Sequence, residues 1–303
     1  MLKELSSKQD GICIGRDSYN NFAYADDVTL LATTVPGLQR LINTCYSYSE
    51  EWRFSFGIKK SKCMVAGKSF IKNQPNWYLS NSKLDVVNSL DILGVNFNSE
   101  IKYNDHVTNR VSACRRCMFG LQEIGVTYPG LSTDVKTHLW NSMGLPTLLY
   151  GAEAIHLDDK DVKKFSSIQG SNLKRYLGLS DRSHHTALVS AAGLKSINDL
   201  LSVRTLSLFK RIFNVESPTR SLNMYLLSRY IADGTSVEGT ILSRVINIGI
   251  SPLSCIMNNV ATKCAKPPAD GIVDSLRFLI HSENYIKPWS VDHLLVKLLT
   301  KAF

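Results

Sequence analysis

Residues 21–34 read NFAYADDVTLLATT, and two aspartates, Asp26 and Asp27, stand side by side in them between the apolar runs 22–24 and 28–32. Each run has the length and composition of a β-strand. Because isolated charge is costly in apolar surroundings, the acidic pair belongs at the tip of a tight hairpin. The flanking runs are apolar at successive positions, so both are expected to be buried on both faces. Adjacent carboxylates held still in this way suit a hard divalent cation such as Mg²⁺, which takes oxygen ligands and completes its shell from phosphate and water. Two-metal phosphoryl or nucleotidyl transfer places its ions about 3.5–4 Å apart and needs several carboxylates, of which this pair would be only part. The plain alternative is a polar turn held by local hydrogen bonds.

Working outward, a short strand is expected at 11–14 and, after the hairpin, a helix entered at Pro36. Leu38, Leu41, Ile42, Cys45, Tyr48 and Trp52 recur along it at helical spacing up to Gly57. Strands follow at 62–66, at 77–79 and 84–87 across the turn 80–83, and at 92–97. Beyond residue 100 the pattern becomes helical. Val107, Val111, Cys114, Met118 and Leu121 form one apolar stripe, and Ser132 caps a second helix that Gly144 and Pro146 should interrupt. Further helices are expected at 159–177, 196–214, 220–232, 238–248 and 290–302. The fold class is therefore α+β, a small antiparallel sheet with a helix followed by helical regions.

The wording of the hairpin, Phe22-Ala23-Tyr24-Ala25-Asp26-Asp27 followed by Val28-Thr29-Leu30-Leu31-Ala32, resembles the YxDD box of reverse transcriptases in the form found in non-LTR, LINE-type retrotransposons. Later segments resemble the family in order: Glu50-Glu51-Trp52, the lysine box 56–63, the Leu-Gly-Val box 91–95, an opening thumb helix through Arg115 and Arg116, and 145–153. The likeness spans about residues 10–180. It implies a truncated polymerase palm at 1–100, a helical thumb at 101–190, and a helical C-terminal region of no assigned role at 191–303.

By the same resemblance, Asp26 and Asp27 are Mg²⁺ ligands, and Tyr24 and Ala25 approach the primer terminus and the nucleotide. Lys60 protonates or steadies the leaving pyrophosphate, and Leu93 and Gly94 form a primer grip. Basic residues beside aromatics in the helical half, Arg115, Arg116, Lys174 and Arg175, are expected on the phosphates of an RNA template paired with a DNA primer, as a thumb would use them; the plain alternative is that the aromatics pack inward and these are their solvated neighbours. The family uses a further aspartate on an earlier palm strand and fingers upstream of the box, whereas only 23 residues precede Tyr24. The expectation is a C-terminal fragment of an RNA-directed DNA polymerase, inactive alone and completed, if at all, by a separate N-terminal portion. The alternative is a non-catalytic basic RNA- or DNA-binding protein derived from a retrotransposon.

The composition agrees with a nucleic-acid partner. Of the 303 residues 44% are hydrophobic and 20% charged, as in a folded protein, and the formal net charge is +9. Seven scattered cysteines make a poor disulfide framework, and no run is apolar enough to suggest a membrane span or secretory leader, so an intracellular protein is expected. Cys114 and Cys117 have CxxC spacing without a second pair and read as core-edge residues of a helix; Cys255, Cys264 and His281 are not spaced as a zinc knuckle. No P-loop, dinucleotide fingerprint, nucleophile elbow or HExxH pair occurs.

Overall fold

The computed structural model describes residues 1–14, 17–67, 75–214, 218–234, 236–237, 239–252, 256 and 293–299. Cys255, Cys264 and His281 lie outside these residues. The chain divides into two units, one made of residues 1–102 together with the strand at 293–299, the other of residues from 103 to 256. The fold class is α+β.

The first unit begins with the short helix α1 (Leu2–Ser6) and the hairpin β1 (Ile12–Ile14) and β2 (Asp17–Tyr19). Asn20 is buried and its side-chain amide donates to the carbonyls of Leu5, at 2.6 Å, and Lys8, at 2.8 Å, which ties α1 to the strand that follows. That strand, β3 (Asn21–Tyr24), turns into β4 (Asp27–Ala32), with Asn21 opposite Leu30 and Tyr24 opposite Asp27. Thr34 then caps the helix α2 (Val35–Glu51) by accepting from the Gly37 amide at 3.1 Å, and Pro36 occupies the first turn, where a missing amide does no harm. Leu38, Leu41, Ile42 and Cys45 of α2 pack with Val28, Leu30 and Ala32 of β4 in one core.

Past α2 the chain makes a 3₁₀ turn at Ile58–Lys60 and enters β5 (Lys62–Ala66). Alternation decides the two faces of β5. Cys63 joins the α2 core, while Met64 and Ala66 form a second cluster with Leu90 on the opposite side. Short strands follow: β6 (Tyr78–Leu79), β7 (Ser82–Lys83), β8 (Asp85–Val86), then β9 (Ser89–Ile92) and β10 (Val95–Asn98). Two expectations change here. The turn joining β6 to β7 is Ser80-Asn81, so 78–79 pairs with Ser82–Lys83, and the strand expected at 84–87 is β8, which pairs parallel with β5 instead. The single strand expected at 92–97 is a hairpin, because Leu93 and Gly94 take φ of +50° and +76° and reverse the chain.

The second unit is helical. It comprises α3 (Asn104–Glu123), α4 (Thr133–Leu139), α5 (Leu145–Leu148), α6 (Asp159–Leu177), α7 (His185–Ala191), α8 (Ile197–Asn214), α9 (Pro218–Asp233) and α10 (Ile241–Asn247). Asp158 caps α6 by accepting from the Asp161 amide at 2.8 Å, and Gly178 ends it at φ +65°, the left-handed conformation that glycine adopts freely. The break expected at Gly144 and Pro146 does not occur. The helix widens instead through a π turn at Trp140–Gly144 and continues into α5, so that Pro146 sits in the first turn after the widening, where its missing donor is tolerated. Gly144 is required there: a Cβ would lie 2.6 Å from both the Trp140 ring and the Met118 sulfur.

The final strand, β11 (His293–Leu299), corrects the helix expected at 290–302. Its sequence, HLLVKLL, is an apolar run too short for periodicity to separate a buried strand from a buried helix. Here it enters the first unit and sets the sheet order β3-β4-β11-β5-β8. β11 is antiparallel to both β4 and β5, so those two strands run parallel to one another with a single strand position between them.

Candidate functional site

The acidic hairpin is placed by β4, whose Val28, Thr29, Leu30 and Ala32 are all buried and fix the register of everything before them. Its partner β3 behaves differently from expectation. Phe22 is 51% exposed and Tyr24 68% exposed, because β3 is the edge of the sheet and only β4 flanks it. The tip itself is open to solvent: Ala25 and Asp26 are exposed and Asp27 is half-buried. The expectation of burial therefore holds for β4 alone. An exposed tip is the arrangement a phosphate-bearing ligand could reach. The turn has two residues, Ala25 and Asp26, and holds Ala25 at φ +52°, a conformation that glycine would take more easily.

Register locates Lys60. Thr29 of β4 faces Lys297 of β11, and Lys297 faces Lys62 of β5. Asp27 stands two residues before Thr29 and Lys60 two residues before Lys62, so the carboxylates and the lysine turn share one end of the sheet. Two strand spacings, about 10 Å, separate them. Lys60 is exposed, and its amide donates to the Gly57 carbonyl at 2.9 Å, which closes the turn.

Two adjacent carboxylates suit one side of a Mg²⁺ site. A third is not at hand: among the described residues no group of three or more His, Cys, Asp or Glu is arranged to hold a metal. Asp85 of β8 is aligned with Lys62, three strand spacings or about 14 Å from β4. Asp10 is engaged by Arg40 of α2, whose Nε donates to both carboxylate oxygens at 3.1 Å and whose pKa is raised by that pairing. Leu93 and Gly94 form the exposed tip of the β9–β10 hairpin, a second surface turn with a non-glycine residue at positive φ.

In the helical unit, α3 and α6 are joined by the Tyr176 hydroxyl, which donates to the Met118 carbonyl at 2.9 Å; burial raises its pKa. That junction brings candidate residues from both helices together. Arg175 of α6 lies over the ring of Phe119 on α3, 5.2 Å from its centre, and Phe119 is 51% exposed. Arg115 and Arg116 precede Phe119 by four and three residues, on neighbouring positions of α3, and both are exposed. Lys174 donates one hydrogen bond to the Asp181 carbonyl at 2.6 Å, beside the C-terminal end of α6 where cations are favoured, and its ammonium has two further donors. Cys114 is buried, donates to the Gly144 carbonyl at 3.5 Å, and burial pushes its thiol up to about 12, which suits a core residue and not a metal thiolate. His185 begins α7 against Gly170, where burial first and Lys174 second hold its pKa down.

Sequence reasoning missed two things that bear on the site. The Arg175–Phe119 stack joins residues 56 apart in sequence and has no local signal. The strand β11 beside Asp27 had one, a mostly apolar run interrupted by Lys297, which fits the centre of a sheet. No helix among the described residues is long and apolar enough to cross a membrane. No protein-family model matches the chain, no curated protein is significantly similar to it, and no solved structure matches it.

Proposed function

We propose that the chain is the YADD-bearing and duplex-holding part of an RNA-directed DNA polymerase of the non-LTR retrotransposon type. The observation that carries this reading is the shared sheet end of Asp27 and the Lys60 turn, held in register by β4 and β5. Asp26 and Asp27 offer oxygen ligands to Mg²⁺, which supplies charge stabilisation for nucleotidyl transfer. Exposed Tyr24 and Ala25 meet the primer end and nucleotide, Lys60 serves the departing pyrophosphate, and Leu93 and Gly94 let a strand approach the hairpin tip. Arg115, Arg116, Lys174 and Arg175 serve the phosphates of the RNA–DNA duplex, with Phe119 offering a stacking face. With no third carboxylate beside Asp26 and Asp27 among the described residues, the chain is expected not to polymerise by itself, the remaining ligand coming from another polypeptide segment.

A second reading, a basic nucleic-acid-binding protein without catalysis, is favoured by one observation, the exposed Phe119 with Arg175 stacked on it. Primer extension on poly-rA/oligo-dT and binding to the same duplex separate the two. We expect no synthesis by the chain alone, duplex binding that weakens as salt rises, and a Mg²⁺-dependent gain in affinity that disappears in Asp26→Asn combined with Asp27→Asn. Binding indifferent to Mg²⁺ supports the second reading, and a chain that ignores the duplex at low salt sinks both. Mg²⁺-dependent synthesis lost in Asp26→Ala would show that the site is already complete.

A further inference from the structure

Helices α8 and α9 line one cavity of the helical unit, far in sequence from the acidic hairpin. Leu208, Arg211 and Ile212 stand three and four positions apart on α8, and Thr219, Leu222, Asn223 and Leu226 repeat that spacing on α9, so each set occupies one side of its helix. With the start of α10 these faces enclose about 640 Å³, a size that holds a small organic molecule. The surrounding elements are held by a core in which Phe209 and Phe213 of α8 pack with Leu242 and Val245 of α10. Two cations stand among the aliphatic walls: Arg211, which is exposed, and Arg244 of α10, which is half-buried. One terminal nitrogen of Arg244 donates to the Ala152 carbonyl at 3.4 Å, while its Nε is buried and has no hydrogen-bond partner among the described residues. A buried donor in that state costs free energy that a bound acceptor would remove.

We propose that this cavity binds a small organic acid, a single carboxylate on an apolar body, with the carboxylate on Arg244 and Arg211 and the body against Leu208, Ile212, Leu222 and Leu226. Guanidinium and carboxylate match in a planar, two-bond geometry. Burial lowers the pKa of Arg244 against the opposing pull of Tyr103 and Glu153, so the site gains from an added negative charge. Glu153 lies 3.5 Å from Arg204 and already offsets part of the positive charge, so one carboxylate is enough. Asn223 and Thr240, polar side chains of the lining, are engaged within their own segments: the Asn223 amide donates to the Thr219 carbonyl at 2.8 Å and the Thr240 hydroxyl to the Val237 carbonyl. A nucleotide would set the polar edges of its sugar and base against aliphatic walls, which is costly without partners. An acid site of this kind is independent of polymerase activity.

The full chain is titrated with anilinonaphthalene sulfonate, an apolar anion whose fluorescence rises in such a site, and the dye is then displaced with decanoate. We expect saturable dye binding, displacement by decanoate, and none by inorganic phosphate or decyltrimethylammonium at the same concentration. Arg244→Gln should weaken decanoate binding about tenfold and Arg211→Gln about threefold, the loss of a charge-assisted contact. Lys210→Gln removes a like charge from the neighbouring exposed position of α8, outside the cavity lining, and should leave decanoate binding unchanged. If circular dichroism shows that Arg244→Gln does not fold, Leu222→Asp, which sets a carboxylate on the half-buried wall, takes its place and should abolish decanoate binding. Displacement of the dye by phosphate or by the poly-rA/oligo-dT duplex as readily as by decanoate would make the two arginines phosphate contacts and overturn the proposal. Absence of saturable binding, native affinity in the folded cavity variants, or an equal loss in Lys210→Gln would overturn it as well.

Discussion

The helical unit and the sheet unit are assembled from sequence in opposite ways. Helices α3 to α10 follow one another along the chain, and their cores are built from Val107 to Ile197 and from Phe209 to Ile256. The sheet unit takes nearly all its residues from 1–102, yet its middle strand arrives from 293–299. Contacts close in sequence cost little chain entropy to form, while a strand pairing across most of the chain must close a very long loop first. The helical unit should therefore hold its structure through local packing. The sheet unit depends on one distant strand as well as on its own core.

Separate cores make the strongest test. Trp77 is fully buried in the sheet unit and its indole donates to the Val35 carbonyl at 3.2 Å. Trp77→Ala should cost about 3–5 kcal/mol, the usual range for an emptied aromatic site. Hydrogen exchange in mild denaturant should show amides of α2 and β4 losing protection while those of α3 and α6 keep theirs. Equal loss in both units would erase the comparison. Next in size is Val296→Pro, which removes a ladder donor from the centre of the sheet and should cost about 1–3 kcal/mol. The amides of β4 and β5 should then exchange faster, and unchanged protection would mean that β11 contributes nothing to the sheet.

A third test contrasts two turns. The helical unit has glycine where its backbone is left-handed, Gly178 at φ +65°, while the sheet unit has alanine at the acidic tip, Ala25 at φ +52°. Nothing lies within 4 Å of a Cβ added at Gly178, so Gly178→Ala introduces strain without a clash. Gly178→Ala should lose about 1 kcal/mol and Ala25→Gly should gain about as much, measured by urea denaturation. If Ala25→Gly is stabilising and also weakens duplex or metal binding, the side chain at the tip is kept for contact with a ligand.

The same contrast explains what could be read in advance. The helix α6 ends where its sequence says, because Asp158 caps one end, Gly178 closes the other, and Phe165, Ile168, Leu173 and Tyr176 mark its buried face. The hairpin β3–β4 was legible for similar local reasons, as a tight turn at Ala25-Asp26-Asp27 between apolar runs, although Asp27 belongs to β4 and the turn is one residue shorter than the sequence suggested. Its burial was not, since whether Phe22 faces core or solvent depends on which strand, if any, lies beyond β3. The segment HLLVKLL suffered most from this limit. Seven residues give too few repeats to fix a period, and the neighbours that make it a strand, β4 and β5, are set by the rest of the fold. At the candidate site the pair Asp26-Asp27 and the turn at Lys60 were visible one by one. Their common sheet end follows only from the pairing of both strands with β11.

Arg175 provides the smallest effect and the finest distinction. Its guanidinium rests on the exposed Phe119 ring, so its value to the protein itself is a surface cation–π contact worth about 0.5–1 kcal/mol. Its value to a nucleic acid would be one neutralised phosphate, which appears as a change of about one in the salt dependence of duplex binding. Arg175→Lys keeps the charge but loses the planar stack; Arg175→Ala loses both. If the patch grips phosphates, the lysine variant should keep the slope of log affinity against log salt and the alanine variant should lower it by about one. If Arg175 serves only to cover Phe119, both variants should leave the slope unchanged and differ from the native chain by a few tenths to 1 kcal/mol of folding stability. The patch lies wholly within the contiguous helical unit, so neither variant should alter amide protection in β4 and β5, and a change there would show that the two units are energetically joined.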